Sequence, residues 1–499
     1  MKVVKETHRR SAGVFVLGVV AALVMGLGWA LSSPVASGPD DDYHLGSIWC
    51  PRPVGESCSL RIVDGEEQVE VPRGVSPLAM QCFVKQKDAP AACGQVDAQT
   101  VVASPRYDTG NYPKGYYRFH HFFVGQDIER SVLVMRSVNV LIAVGLVAGI
   151  AALSPPRIRR AMALGMAASW FPMGVYFIAS NNPSSWAMTG LFSFAVAVYC
   201  ATQARSWRRW VLLGLAAFAA LLCLASRYDA AFYLFIVAVA LAFAVQWEPR
   251  RHRAEIALLI FTSVVGIYWM YSSTNPAAAP LNDAGAGGDT GGSSMEFSLP
   301  GLVWALASFP KYVGGFYGYH WTPGWGDVPT EEHAPFVFSI MAAGAILMVA
   351  LSRGSWHKWL AGTVLLGAVA GLPVVFHATG IFPELVSYQA RYVLPLLAVT
   401  FFVLLSQGLG RRPLFSQVQA GFLLLCFTGA TVLTQYITML RYVNGVNPGQ
   451  PRVLSPAHGW WWTLPVHPLS VWGLTSLATF VFLTLMIRTG RQELQEEGA

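Results

Sequence analysis

The residues best placed for chemistry lie in the run Pro39-Asp40-Asp41-Asp42-Tyr43-His44, three successive carboxylates with a histidine two residues on. Adjacent carboxylates repel, so at least one is expected to hold its proton more tightly than usual, which suits a general base or a metal ligand. Asp40 and His44 stand four residues apart and would share a face on a helical turn. The bland alternative is a solvated acidic turn that caps a helix. Position favours chemistry, because the run follows the chain's first long apolar block and opens its longest polar interval, residues 33 to 130.

The elements that must position these residues are lipid-embedded. Of 499 residues, 54% are hydrophobic and 12% charged, half the roughly 25% charged share of a soluble domain. Apolar runs lie at 12–31, 132–152, 161–180, 185–203, 210–226, 231–246, 256–273, 335–352, 359–377, 392–407, 418–440 and 471–487. A bilayer core of ~30 Å needs about 20 residues of helix, with about 17 as the lower limit. The expectation is an all-α polytopic membrane protein with about 12 transmembrane helices.

The divisions that follow are a cytoplasmic N-terminus and first helix (1–32), a polar loop with the acidic motif and four cysteines (33–131), helices two to seven (132–273), a second loop (274–334), and helices eight to twelve with a cytoplasmic tail (335–499). The first apolar run exceeds the roughly 7–15 residues of a signal-peptide core, so it reads as an uncleaved helix behind Lys2, Lys5, Arg9 and Arg10. The Ser33-Pro34-Val35-Ala36-Ser37 stretch keeps cleavage open.

Charge placement tests this layout. Nineteen of the 34 lysines and arginines fall in seven short pieces that alternate to one side, among them Arg157, Arg159 and Arg160, then Arg205, Arg208 and Arg209, then Arg250, Arg251 and Arg253. That is the positive-inside pattern, with both termini cytoplasmic. The basic balance is therefore a topology signal, and nucleic acid has no place in the account.

Cysteine usage agrees. Cys50, Cys58, Cys82 and Cys93 all fall in the first polar loop, which reads as two disulfides in an oxidising compartment, with three pairings open. A zinc site is the competing reading, though spacings of seven and ten residues do not suit one. Cys200, Cys223 and Cys426 fall in spans and read as small apolar residues.

Other polar sets stand at the ends of spans. Asn111 to Tyr117, with His120 and His121, precedes the second; its tyrosines fit an interfacial belt as well as a site. Tyr388-Gln389-Ala390-Arg391-Tyr392 opens the tenth, where an arginine at the outer end needs a partner such as a lipid phosphate. Arg227 and Asp229 read as a local ion pair, and Asn181-Asn182-Pro183 as a turn. In the second loop, the Ala-, Gly- and Ser-rich stretch through Ser294 reads as flexible, and the aromatic stretch after it as interfacial. Gly459-Trp460-Trp461-Trp462 closes a third aromatic loop.

Three of these motifs carry a resemblance. Pro39 to His44 resembles the P-D-E-x-x-H motif of a bacterial multi-spanning family, domain of unknown function 2142, with Asp41 in place of the Glu. Tyr112-Pro113 with Tyr116-Tyr117 resembles its Y-P-P-L-Y-Y, with Lys114 in place of the second Pro. Gln389-Ala390-Arg391-Tyr392 with Pro395 resembles its Q-G-R-Y-F-x-P, with Ala390 in place of Gly. The four-cysteine insertion is not part of that pattern.

That family is similar to the GT-C glycosyltransferases, polytopic enzymes with catalytic acids in the first outer loop and polyprenyl-phosphate sugars as donors. The resemblance implies a GT-C-like transferase of the bacterial plasma membrane, acting on a cell-envelope glycan or glycolipid acceptor. Asp40 or Asp41 would deprotonate the acceptor, and His44 would orient the acid or join both in holding a divalent cation, Mg or Mn. Arg391, with Lys114 or Arg227, would neutralise the lipid phosphate; Tyr112 and Tyr116 would line the sugar site, with Gln389 and Tyr392 beside them. The rivals are a transporter or flippase, which needs ionisable groups near the midplane of the spans, and a non-catalytic envelope-assembly scaffold.

Overall fold

The computed structural model describes residues 2–94, 96–272, 297–352, 354–407, 413–446, 449, 452–456 and 459–491. Helices dominate: α1 (Lys2–Leu31), α2 (Asp41–Trp49), α3 (Lys114–His121), α4 (Ile128–Leu153), α5 (Pro156–Trp170), α6 (Met173–Ile178), α7 (Ser184–Gln203), α8 (Ser206–Ser226), α9 (Tyr228–Ala244) and α10 (Arg253–Ser272). After them come α11 (Leu299–Gly314), α12 (Ala334–Ala350), α13 (Trp356–Leu366), α14 (Leu372–Ala378), α15 (Ala390–Ser406), α16 (Gln417–Asn444) and α17 (Pro468–Arg491).

Among the described residues eight helical stretches are long and apolar enough to cross a membrane, and Tyr228–Ala244, Ala334–Ala350 and Ala390–Ser406 are shorter apolar helices. The run expected to span as 161–180 is not one helix. α5 stops at Trp170, Phe171 is extended at φ −106° and ψ 123°, and α6 restarts beyond Pro172. A residue before proline is driven out of the helical region, which a reading by hydropathy alone passes over.

α7 forms the centre and is buried from Ser184 to Thr202. α5 packs along α15, and α7 along α8 and α15. On the periphery α10 exposes Ile260, Phe261, Val264 and Tyr268, the apolar surface that a lipid environment accepts. Between α1, α4, α5 and α17 lies an apolar groove of about 730 Å³, with Phe15, Val144, Met166 and Phe482 in its walls.

The first polar loop adds a three-stranded antiparallel sheet that an all-α reading missed: β1 (Leu60–Val63), β2 (Glu66–Pro72) and β3 (Val101–Ser104), in that order. Along β2, Val69 and Val71 are buried while Gln68, Glu70 and Pro72 beside them are only half-buried, the period-two pattern of a half-covered strand. Disulfides join Cys50 to Cys58 and Cys82 to Cys93, the sequential pairing, which removes the zinc reading. The free Cys200, Cys223 and Cys426 are buried. Arg441 ties the second disulfide loop to α16: its guanidinium donates to the carbonyls of Phe83 (2.6 Å), Gln86 (3.0 Å) and Ala89 (2.8 Å) and to Asp327 (2.8 Å).

The flexible stretch expected from 274 through Ser294 lies outside the described residues. Beyond it, α11 leaves Leu299, Val303, Trp304 and Leu306 exposed.

Candidate active site around Asp40

The turn before α2 is built by its own acids. The Gly38 N–H donates to Asp41 Oδ2 at 2.8 Å, and Asp40 takes the left-handed conformation, φ 59° and ψ 21°. Aspartate is among the few residues that tolerate it. Asn182 Nδ2 donates to the Pro39 carbonyl at 3.1 Å, so the Asn181-Asn182 turn braces this one. Asp40 thus precedes α2 instead of sharing a helical face with His44, as its spacing had suggested.

The three carboxylates diverge, each to an arginine. Asp40 accepts from Arg391 Nη2 at 2.6 Å and stands 4.0 Å from Arg106. Asp41 lies 3.8 Å from Arg136, whose other N–H groups hold the carbonyls of Ala30, Ser33 and Pro34. Asp42 accepts from Arg106 Nε at 2.8 Å and Nη2 at 3.3 Å. The repulsion implied by the sequence is resolved by cations drawn from the first loop, α4 and α15.

Their protonation differs accordingly. Burial alone would raise the pKa of Asp40, but Arg391, with Arg106 beyond it, outweighs burial and holds the carboxyl below its usual range. Asp40 is therefore ionised at neutral pH, and its side chain is 35% exposed. Asp41 is fully buried, and burial pushes it up to about 6 against the pull of Arg136. Burial lowers His44 to about 3, so the ring is neutral, with Nδ1 2.9 Å from the Tyr117 hydroxyl.

Aromatic rings and two more cations complete the surroundings. Arg227 is paired in bidentate fashion with Asp229 (2.9 and 2.8 Å), and its guanidinium lies over Tyr392 at 4.9 Å and Tyr112 at 5.8 Å. Arg391 lies over Tyr392 at 5.3 Å and Arg106 over Tyr43 at 5.4 Å. Tyr112 stands 5.4 Å from His44, and its loop is clamped by Asp108, which accepts from the Tyr112 N–H at 3.1 Å and from Arg52 at 2.7 Å. Buried Nε and Nη1 of Arg391, Oε1 of Gln389 and Nε2 of His44 have no hydrogen-bond partner among the described residues. Buried polar atoms are rarely left so, and unused donors beside a partly exposed carboxylate mark a place built to receive something polar.

The structure therefore gathers Asp40, His44, Tyr112, Arg227, Gln389, Arg391 and Tyr392 in one neighbourhood, and leaves out three expected members. Tyr116 is fully buried, stacked 4.1 Å from His120 and hydrogen-bonded by Asn139, so it lines no accessible site. Lys114 is exposed in the first turn of α3, with no partner among the described residues. Asp41 faces inward, away from solvent.

The divalent cation expected at Asp40, Asp41 and His44 finds no ligand set, since the three side chains turn to different partners. Among the described residues no group of three His, Cys, Asp or Glu side chains could hold a metal ion.

Two residues were missed. Arg136 did carry a signal, being an ionisable group inside an apolar run. Arg106 carried none, being one basic residue among several in a long loop.

No curated protein and no solved structure matches the chain. One family model does match, described as "Predicted membrane protein (DUF2142)", over residues 23–400. The match takes in all three motifs at Pro39, Tyr112 and Gln389 and covers most of the chain. The chain belongs to this family of predicted membrane proteins, domain of unknown function 2142.

Proposed function

We propose that this protein is a GT-C-like glycosyltransferase of the bacterial plasma membrane. It moves a sugar from a polyprenyl-phosphate donor to a cell-envelope glycan or glycolipid on the extracytoplasmic face. One observation carries the reading: an ionised, partly exposed carboxylate, Asp40, touches Arg391, a buried arginine whose Nε and Nη1 have no partner among the described residues.

Asp40 takes the proton of an acceptor hydroxyl as that oxygen bonds to the anomeric carbon. The bond from that carbon to the phosphate oxygen breaks, and its electron pair leaves with the polyprenyl phosphate. Arg391 neutralises this growing charge, where fixed donors are most effective; Arg227, already paired with Asp229, adds to the local field. Asp41 and His44 act as positioning residues, through Gly38 and Arg136 and through Tyr117. The apolar groove supports a lipid-linked donor: it includes Val140, one helical turn from Arg136.

The test uses membranes carrying wild type, Asp40→Asn or Arg391→Lys, supplied with radiolabelled polyprenyl-phosphate sugars. The expected result is a labelled product from wild type that disappears in Asp40→Asn at equal protein level. In Arg391→Lys it forms with KM for the donor raised about 10-fold or more, because lysine cannot reproduce a forked guanidinium contact. No product from wild type with any donor removes the transferase reading.

A further inference from the structure

The tryptophan run Gly459-Trp460-Trp461-Trp462 takes no part in the site around Asp40, yet it helps to build a second cavity. That cavity measures about 320 Å³, at the low end of the ~300–1,000 Å³ of small-ligand pockets. Trp460 and Trp461, with centroids 4.5 Å apart and planes tilted 41°, form one wall. Across from them stand Phe83 and Gly94 of the second disulfide loop, Pro34 from the chain leading to α2, and Glu129 from the first turn of α4.

The chemistry of the wall selects a ligand class. The indole N–H groups of Trp460 and Trp461 are buried and have no acceptor among the described residues, a costly state unless something supplies one. Glu129 accepts through Oε2 from the N–H (2.9 Å) and hydroxyl (2.7 Å) of Thr463, which orients its carboxylate. None of the described residues lining the cavity is cationic, so nothing among them favours phosphate. A carboxylate and two free N–H donors are equally out of place for a purely apolar chain. Flat indole faces with a few donors and acceptors at their edges fit a neutral ring that is apolar on its C–H face and hydroxylated at its rim.

We propose that this cavity binds a neutral hexose unit of a glycan. It lies at the start of the segment that carries the base: Trp462 Nε1 donates to the Leu31 carbonyl at 2.8 Å, and Arg136 bridges the Pro34 carbonyl (2.9 Å) to Asp41. A glycan held there is the acceptor, an assignment that rests on the transferase reading; the binding itself does not.

The test reads binding without turnover. Full-length protein in lipid nanodiscs is titrated with glucose-, mannose- and galactose-based trisaccharides and followed by saturation-transfer NMR. The proteins are wild type, Trp460→Ala, Ala92→Trp, which adds bulk at an exposed lining residue, and Asp40→Asn. At least one trisaccharide is expected to bind wild type and Asp40→Asn alike, and about tenfold or more weakly to Trp460→Ala and Ala92→Trp. Three results overturn the proposal: no binding to wild type up to about 10 mM, a binding limit of only ~3 kcal/mol; equal binding to both cavity variants; or loss in Asp40→Asn, which would put the sugar elsewhere. Binding to wild type with no transfer to the bound glycan from any polyprenyl-phosphate sugar tells against the transferase reading alone.

Discussion

Asp40, Asp41 and Asp42 are one residue type in three consecutive positions, and the fold gives them three different fates. The left-handed turn at Asp40 leaves its carboxylate partly in solvent, while the helix that begins at Asp41 turns the next inward. The sequence showed that the acids would interact; which of them stays accessible depended on Arg106, Arg136 and Arg391, two of them remote in the chain. Tyr116 was misjudged for a related reason, since a tyrosine's spacing does not say whether its ring meets solvent or Asn139. His44 gives a pH test. Its folded pKa is near 3 against 6.5 for a free ring, so below 6.5 the unfolded chain binds a proton that the folded chain does not. Its contribution to stability is therefore complete above about pH 6.5 and is lost as pH falls, by up to ~1.4 kcal/mol per pH unit. The unfolding temperature of wild type minus that of His44→Gln is expected to shrink between about pH 7.5 and 5 in detergent micelles. A gap that does not change with pH would show that His44 is not held neutral.

Among the elements, α2 is the positioning device. It lies so close to the irregular segment that follows β3 that a Cβ on Gly46 would stand 2.7 Å from the Arg106 carbonyl oxygen. That approach brings Arg106 to Asp42 and within 4.0 Å of Asp40. Gly46→Ala is expected to lower stability by about 1–3 kcal/mol, as overpacking does. Gly145→Ala, where a Cβ meets open space in α4, is expected not to lower it. Thermal unfolding of the two variants checks this, and equal stabilities would remove the close approach as the reason for glycine at 46. Apolar runs of helical length were legible because a bilayer demands them, and eleven of the expected twelve appear as long or shorter apolar helical stretches among the described residues, the one at 359–377 running through both α13 and α14. The break at Phe171-Pro172 was legible too, had the proline been weighed against the hydropathy. The small sheet was not: its strands are only four to seven residues long and lie in a loop stapled by disulfides.

At the scale of the molecule, charge asymmetry is the ground for a proposed sidedness. We propose that the disulfides and the Asp40 site belong to one face, and the arginine-rich connections such as Arg205 to Arg209 to the other. In intact cells an impermeant maleimide is expected to label Thr109→Cys and to label Trp207→Cys only after lysis, both positions being exposed. Labelling of both in intact cells would break the topology and, with it, the placing of the site. The central claim is narrower: of three adjacent acids, Asp40 is the one that acts on substrate. The most direct measurement is single-turnover transfer from a polyprenyl-phosphate sugar by purified wild type, Asp40→Asn and Asp41→Asn in liposomes, with unfolding temperatures recorded alongside. Asp40→Asn is expected to fold as wild type does and to lose about 10²-fold or more in rate, while Asp41→Asn changes stability more than the rate of the folded fraction. Undiminished transfer by a folded Asp40→Asn would contradict the account.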